Sequence, residues 1–255
     1  MAMNPMEQFE VKPFLIEQPL FSIGGHPIYF TNQAFFMLIV LAAATLFLTV
    51  TVSKSRLVPS RAQSMAEISY EFVADMIQST MGHEGLAFFP MIFTLFIFVL
   101  FSNFLGLIPW TFTVTSQIAV TFALASFVII VMVVVGFMRH GLRFLSLFVP
   151  PAPWWMIVPM VIIEVISFLT RPISLSVRLF ANMLAGHTLL AVFASFVVLL
   201  GGASLVALKP LALAPLAMIS AFYGLEMLVC FLQAYVFAIL TCIYLNEALH
   251  LHDHH

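Results

Sequence analysis

The sequence predicts an all-α polytopic membrane protein. It has about five membrane-embedded helices plus one amphipathic surface helix, and the last two embedded helices are long and strongly tilted as a hairpin. Three observations carry this reading. Hydrophobic residues make up 63% of the 255 residues and charged residues only 8%, whereas a soluble domain carries roughly 25% charged residues. The apolar residues fall in runs long enough to cross a bilayer. They do not alternate with polar residues, as the strands of an outer-membrane barrel would. A soluble enzyme, a disordered chain and a nucleic-acid binder are thereby excluded. The net charge of −2 identifies no partner, because where each charge sits matters more than the sum.

Residues 1–33 lack the basic start and short apolar core of a signal peptide. With Glu7, Glu10 and Glu17 against Lys12 they are expected to form an exposed or interfacial lead-in. Ala34 to Val52 is uncharged and is the first span (34–52), followed at once by Lys54, Arg56 and Arg61. Ser60 and Gln63 have the spacing of a helix capping box. Beyond them Met65, Ile68, Phe72, Val73 and Met76 recur at helical spacing, interleaved with Glu67, Glu71, Asp75 and Gln78. This is the amphipathic helix over 60–80, lying on the membrane or on a partner; a plain soluble helix is the alternative.

The second and third spans occupy 86–138. Leu86 to Trp110 contains Asn103, Gly106 and Pro109, and Ile118 to Met138 is closed by Arg139, His140 and Arg143. Pro150, Pro151 and Pro153 with Trp154 and Trp155 then make a stiff interfacial connector. The hairpin fills 158–244. Val158 to Leu200 would run about 64 Å as one helix, twice a ~30 Å hydrocarbon core, with Pro172 as its only strong breaker. A loop with Gly201, Gly202, Lys209 and Pro210 leads to Leu211 to Tyr244, about 51 Å if helical. Such over-length calls for strong tilt imposed by packing; kinked vertical helices are the alternative. Residues 245–255 form a tail whose His250, His252, Asp253, His254 and His255 are either a solvated end or a metal-binding group. Cys230 and Cys242 lie about 120° apart on a helix and are not placed for a disulfide.

Basic residues give the orientation. Lys54, Arg56, Arg61, Arg139 and Arg143 fall on one side of these spans and Lys12 and Lys209 on the other. The first side, with the C-terminus, is cytoplasmic or matrix-facing, and the N-terminus lies on the outer side.

Four charged residues remain inside apolar sequence: Glu164, Arg171, Arg178 and Glu226. An ionised side chain there costs from ~2.5 to well over 10 kcal/mol, so each must pair or line water. Glu164, Arg171 and Arg178 recur every seven residues and stay within about 40° of one another, with Ser174 and Asn182 on the same side. Arg171 next to Pro172 is either functional or part of a structural salt bridge with Glu164. Arg178 cannot lose its proton. It can act as a fixed cation beside a path that other groups titrate. Its own helix face offers no carboxylate closer than Glu164, about 21 Å along the axis, so its partner is expected on another polypeptide.

Glu226, Gln233 and Tyr244 share one face of the last helix. His187 lies on the opposite face of its helix from Arg178. Paired with Glu226 across the hairpin it is a proton-path candidate, the alternative being a packed core histidine. Asn103 lines the same polar region or ties two helices together. No phosphate loop, CxxC pair, zinc helix or nucleophile elbow is present in the sequence. No cofactor or metal is expected. A secondary transporter or ion-pumping subunit of a respiratory complex with a self-contained site, and an intramembrane enzyme, are the rival classes; the first conflicts with the missing carboxylate, and as an inverted-repeat transporter with the absence of an internal repeat, the second with the lack of a nucleophile–base or metal set.

The stretch Ser174-Leu-Ser-Val-Arg178-Leu-Phe-Ala-Asn182-Met-Leu-Ala-Gly186-His187 resembles the signature of the subunit a family of F-type ATP synthases, the stator proton channel. Leu232 to Asn246 is similar to that family's last helix, and Asn103-Phe-Leu-Gly-Leu-Ile-Pro109 to its second span. Glu7-Gln-Phe-Glu-Val and Phe112-Thr-Val-Thr-Ser116 are similar to its alphaproteobacterial and plant-mitochondrial branch. The resemblance implies two offset aqueous half-channels that carry protons to and from the carboxyl groups of a rotor c-ring. His187, Glu226, Asn103, Gln233 and Tyr244 belong by resemblance to the inlet and Glu164 to the outlet, with Arg178 between them and Asn182 beside it. Many free-living members exchange the acid and the histidine at 187 and 226; this chain has the mitochondrial arrangement. The implied partners are the c-ring, b-type peripheral-stalk subunits, other membrane subunits of the synthase and the lipid bilayer of an energy-transducing inner membrane, bacterial or mitochondrial. The chain itself would not catalyse ATP chemistry.

Overall fold

A computed structural model describes residues 10–13, 21–23, 26–53, 59–108, 111–149, 156–202 and 210–250. The Pro/Trp connector at 150–155, Pro109 and Trp110, Lys54, Arg56 and Lys209, the acidic Glu7 and Glu17 and the tail from 251 to 255 lie outside the described residues. In chain order the elements are β1 (Phe21–Ile23), β2 (His26–Ile28), α1 (Asn32–Val52), α2 (Arg61–Met81), α3 (Phe89–Gly106), α4 (Ile118–His140), α5 (Ile157–Gly201) and α6 (Leu213–Leu249). Short 3-10 segments at His83–Phe88, Val114–Ser116 and Gly141–Phe148 link them. Among the described residues five helices are long and apolar enough to cross a membrane: α1, α3 with its leading 3-10 turn, α4 with part of the 3-10 segment after it, α5, and α6 with the turn before it. The protein is a multi-pass membrane protein.

The lead-in holds more structure than its composition announces. β1 and β2 pair antiparallel, with Phe21 opposite Ile28 and Ile23 opposite His26. Asn32, the first residue of α1, clasps the preceding strand-like segment. Its backbone N–H donates to the Lys12 carbonyl at 3.0 Å. Its side-chain oxygen accepts from the Lys12 N–H at 3.2 Å, and its amide nitrogen donates to the Glu10 carbonyl at 3.1 Å. An asparagine side chain mimics a peptide group, so it extends the pairing by one rung.

The chain forms two compact units. The first takes Met1–Phe47, Phe98–Gln117 and Leu179–Ala234; the second takes Leu48–Ile97, Ile118–Arg178 and Tyr235–His255. In the first unit Leu107, Met183 and Cys230 make a buried cluster with Phe104 against it. Ring pairs hold α1 to α3 (Phe47 and Phe101, 5.6 Å) and α5 to α6 (Phe193 and Phe222, 5.4 Å). In the second unit Ile129, Met132, Phe144 and Ala248 are buried together, with Phe168 and Tyr244 packed on them. Lipid tails are as apolar as leucine, so burial alone drives little helix association in a membrane. Close packing and interhelical hydrogen bonds of roughly 0.6–2 kcal/mol each carry it instead. The buried Thr121–Ser176 hydroxyl pair between α4 and α5, at 3.1 Å, is one such bond.

α2 begins as the capping box requires. The Ser60 side chain accepts from the Gln63 N–H at 3.3 Å, and the Gln63 side chain donates to Glu67 at 2.8 Å. The expected apolar stripe is covered by the chain only in part. Val73 and Met76 are buried, but Met65 and Ile68 are exposed. The buried face instead runs Ala66, Val73, Ile77, Met81, spaced by seven, four and four residues. Phe72 lies at its edge, with its ring 5.9 Å from Phe96 of α3 and 5.5 Å from Tyr235 of α6. At the far end, Arg139 pairs with Glu84 at 2.5 Å, and His140 Nε2 meets the Leu249 carbonyl at the last turn of α6 at 3.1 Å.

α5 is one helix of 45 residues that runs through Pro172. Proline removes one i→i−4 hydrogen bond and crowds that carbonyl, yet the apolar sequence on both sides continues the helix. α6 has 37 residues and runs five residues past the expected start of the tail. Leu245, Ala248 and Leu249 are buried; they keep the helical period set by Cys242, which is why the helix does not stop at Tyr244.

Candidate functional site

In the first unit the antiparallel pairing of α5 and α6 brings His187 and Glu226 together. His187 Nε2 lies 3.9 Å from Glu226 Oε1. Glu226 is 5% exposed, and neither of its carboxylate oxygens accepts a hydrogen bond among the described residues. The close approach depends on Gly186. A Cβ at that position would stand 2.3 Å from Glu226 Oε1. Gly186, Glu226 and Asn182 line one cavity of about 240 Å³ with Leu189, Phe222 and Val229. A buried carboxylate with open hydrogen-bonding capacity on a cavity wall has room to accept a hydrogen bond from water or to take up a proton.

Asn182 and Gln233 bond directly, the Asn182 amide nitrogen donating to Gln233 Oε1 at 3.0 Å. The other end of Gln233, its amide nitrogen, has no partner among the described residues. Asn103, fully buried, ties helices together. It donates to the Cys230 carbonyl at 3.3 Å and accepts from Thr115 at 2.9 Å. Cys230 and Cys242 are free thiols.

In the second unit Arg171, its side chain only 16% exposed, is held by three groups. It forms an ion pair with Glu247. Its guanidinium lies 3.9 Å from Glu164, and 5.3 Å from the centre of the Tyr244 ring. The pairing of Arg171 with Glu164 that the seven-residue spacing allows is present, at the long end of ion-pair distance. The principal partner of Arg171 is Glu247, which sequence reasoning left in the tail. The signal that could have found it was the unbroken apolar period through Leu249. Tyr244, grouped with Glu226 and Gln233 by helix face, is placed here beside Arg171. Among the described residues no group of three or more His, Cys, Asp and Glu side chains is arranged to hold a metal.

Arg178 is exposed. It forms no ion pair or hydrogen bond among the described residues, unlike Arg171 and Arg139. Ser174 and Asn182, one turn to either side, are exposed as well, and so are Ala181 and Ala185. Small side chains around a long cation leave it reachable by a second polypeptide. In chain order along α5, Arg178 follows the Glu164–Arg171 pair and precedes His187.

Residues 34–246 match the family model described as the ATP synthase A chain. A protein of Chelativorans sp. named ATP synthase subunit a is 56% identical over 98% of this chain and 99% of its own length. Proteins of the same name from Allorhizobium ampelinum and Xanthobacter autotrophicus are 55% and 53% identical, each over 98% of this chain and 98% and 99% of their own lengths. The matched region takes in α2 to α5 whole and all but the first two residues of α1 and the last three of α6, together with every residue of the two sites except Glu247, and on that ground the chain belongs to the ATP synthase A chain family.

Proposed function

We propose that the chain is the stator proton-channel subunit of an F-type ATP synthase. Two offset aqueous half-channels carry protons to and from the carboxyl groups of a rotor c-ring, coupling proton flow to rotation. The observation that carries this reading is Arg178: a permanent cation in an apolar helix, exposed, with no ion-pair partner among the described residues. A lone charge in hydrocarbon is too costly to keep without a counter-charge. A carboxylate arriving at 4 Å from another chain would gain about 4 kcal/mol at an effective dielectric of 20.

Each residue then has a role. His187 and Glu226 pass protons in from the outer side, with the Asn182–Gln233 pair and Asn103 shaping that wall. Glu164, beside Arg171, Glu247 and Tyr244, belongs to the exit toward the cytoplasm or matrix. Arg178 attracts each deprotonated rotor carboxylate and prevents protons passing directly from entry to exit. Such a leak would dissipate about 2.3 kcal/mol per proton for each 100 mV without rotation. The basic residues Arg61, Arg139 and Arg143, with Lys54 and Arg56, support an orientation with the C-terminus on the cytoplasmic or matrix side. Peripheral-stalk subunits and other membrane subunits of the synthase would cover further exposed apolar faces.

Cysteine crosslinking tests this. Ala181→Cys or Ala185→Cys, in the assembled complex, is expected to capture a small carboxyl-bearing rotor subunit. Capture of no rotor subunit from either position, in complexes that assemble normally, would contradict the assignment.

A further inference from the structure

The turn between α3 and α4 reaches the same His187 nitrogen that lies nearest Glu226. Thr113 Oγ1 lies 3.1 Å from His187 Nε2 and 3.4 Å from the Gly106 carbonyl. Thr113 is 4% exposed. Its backbone is fixed: its carbonyl accepts from the Ser116 N–H at 3.2 Å and from the Ser116 hydroxyl at 2.6 Å. Two residues on, Thr115 donates to Asn103, which in turn holds the Cys230 carbonyl of α6. Gly106 makes the seat possible, since a Cβ there would stand 2.7 Å from Thr113 Cγ2. The hydroxyl is thus held by α3, and its turn is tied to α6 through Thr115 and Asn103.

We infer that Thr113 is a positioning residue for His187, holding the imidazole so that Nε2 faces Glu226 and serving that nitrogen in either of its protonation states. This inference rests on the reading of His187 and Glu226 as a proton path. A hydroxyl has one proton to donate and lone pairs to accept with. When Nε2 carries a proton, Thr113 accepts it as a hydrogen bond and donates to the Gly106 carbonyl. When an imidazolium gives its Nε2 proton to Glu226, the N–H bond breaks, an O–H bond forms, the carboxylate becomes an acid and the neutral ring keeps its other proton on Nδ1. The hydroxyl then turns and donates to the bare nitrogen. The titratable neighbours on α6 are Glu226 and, one turn to either side, Tyr223 and Cys230. These two are committed to the Leu107 carbonyl at 3.0 Å and the Asn103 carbonyl at 3.7 Å. On α5 itself the nearest charge in sequence is Arg178, and the α3–α4 turn contributes only uncharged groups.

The test compares Thr113→Val, Thr113→Ser and Glu226→Gln in the full complex, reading assembly and the dependence of proton-driven ATP synthesis on outer-side pH. Thr113→Val is expected to assemble, to slow synthesis by between about twofold and tenfold, the worth of one hydrogen bond, and to move the pH at half-maximal rate by about half a unit. Thr113→Ser is expected to restore both. A wild-type rate and profile in Thr113→Val overturns the inference, as does a Thr113→Ser variant as impaired as Thr113→Val. If Thr113→Val fails to assemble, Thr113→Ala carries the same test without an added methyl. Failure of both to assemble would make the hydroxyl a requirement for folding and overturn the positioning role. Glu226→Gln separates the two levels: retained synthesis there removes the proton-path reading itself, whereas loss there beside an unchanged Thr113→Val removes only the role of Thr113.

Discussion

Gly186→Ala separates proton passage from folding. The added Cβ would stand 2.3 Å from Glu226 Oε1, 2.8 Å from its Cδ and 3.4 Å from its Cγ. A carbon and an oxygen rest at roughly 3.3–3.6 Å even in a close contact, so the carboxylate must retreat by about 1 Å. The atom displaced is the end of a flexible side chain, so α5 and α6 need not move apart. The helix itself gains, because alanine is favoured over glycine in a helix interior by about 0.8–1.0 kcal/mol. A displacement of 1 Å between reacting groups can cost on the order of 100-fold in rate. ATP-driven proton uptake into inverted membrane vesicles, followed with a pH-sensitive dye, should fall between about tenfold and 100-fold, while the complex assembles at its normal level. Glu226→Asp in the same variant shortens the side chain by one methylene and should recover part of the rate. Wild-type uptake in the single variant would refute the claim that the closeness of Glu226 to His187 matters for transport.

Two further outcomes follow from the same contacts. Glu247→Gln keeps the shape of the side chain but leaves Arg171 with only Glu164, at 3.9 Å. Because both carboxylates are about one-third exposed, the cost should fall near 1–3 kcal/mol, below that of a fully buried pair, and should show as a lower temperature of subunit loss in detergent. Ser60→Ala should destabilise the start of α2 by about 1 kcal/mol, with Ser60→Asp neutral; amide hydrogen exchange over 61–64 reads this directly.

The helices and their order were legible because a bilayer leaves the backbone few choices. Runs of apolar sequence at α1, α3 and α4 are the length that a membrane demands, and the unbroken stretch through Pro172 gave α5 before any contact was known. Ser60 and Gln63 marked a helix start because capping is a local matter of two side chains. The pairing of His187 with Glu226 followed from helix faces alone. What escaped depends on neighbours far along the chain. Which part of the α2 stripe the chain itself covers turns on distant rings such as Phe96 and Tyr235, so sequence does not tell buried Val73 and Met76 from exposed Met65 and Ile68. Glu247 gave no sign of its link to Arg171, 76 residues away. Thr113 stood in a short polar turn, and nothing local tells that such a turn folds back onto His187. The β1–β2 ribbon is too short and too mixed in composition for any periodicity to announce it.

The role of Arg178 can be decided by one comparison. Arg178→Ala is measured beside the unaltered protein for proton-driven ATP synthesis in vesicles in which assembly has been verified. In the proposed mechanism, removal of the cation would leave rotor carboxylates without their counter-charge, so synthesis should be abolished at every driving force, and Arg178→Lys should keep the charge but lose the fork geometry and most of the rate. Coupled ATP synthesis at the normal rate in Arg178→Ala would contradict the proposed mechanism.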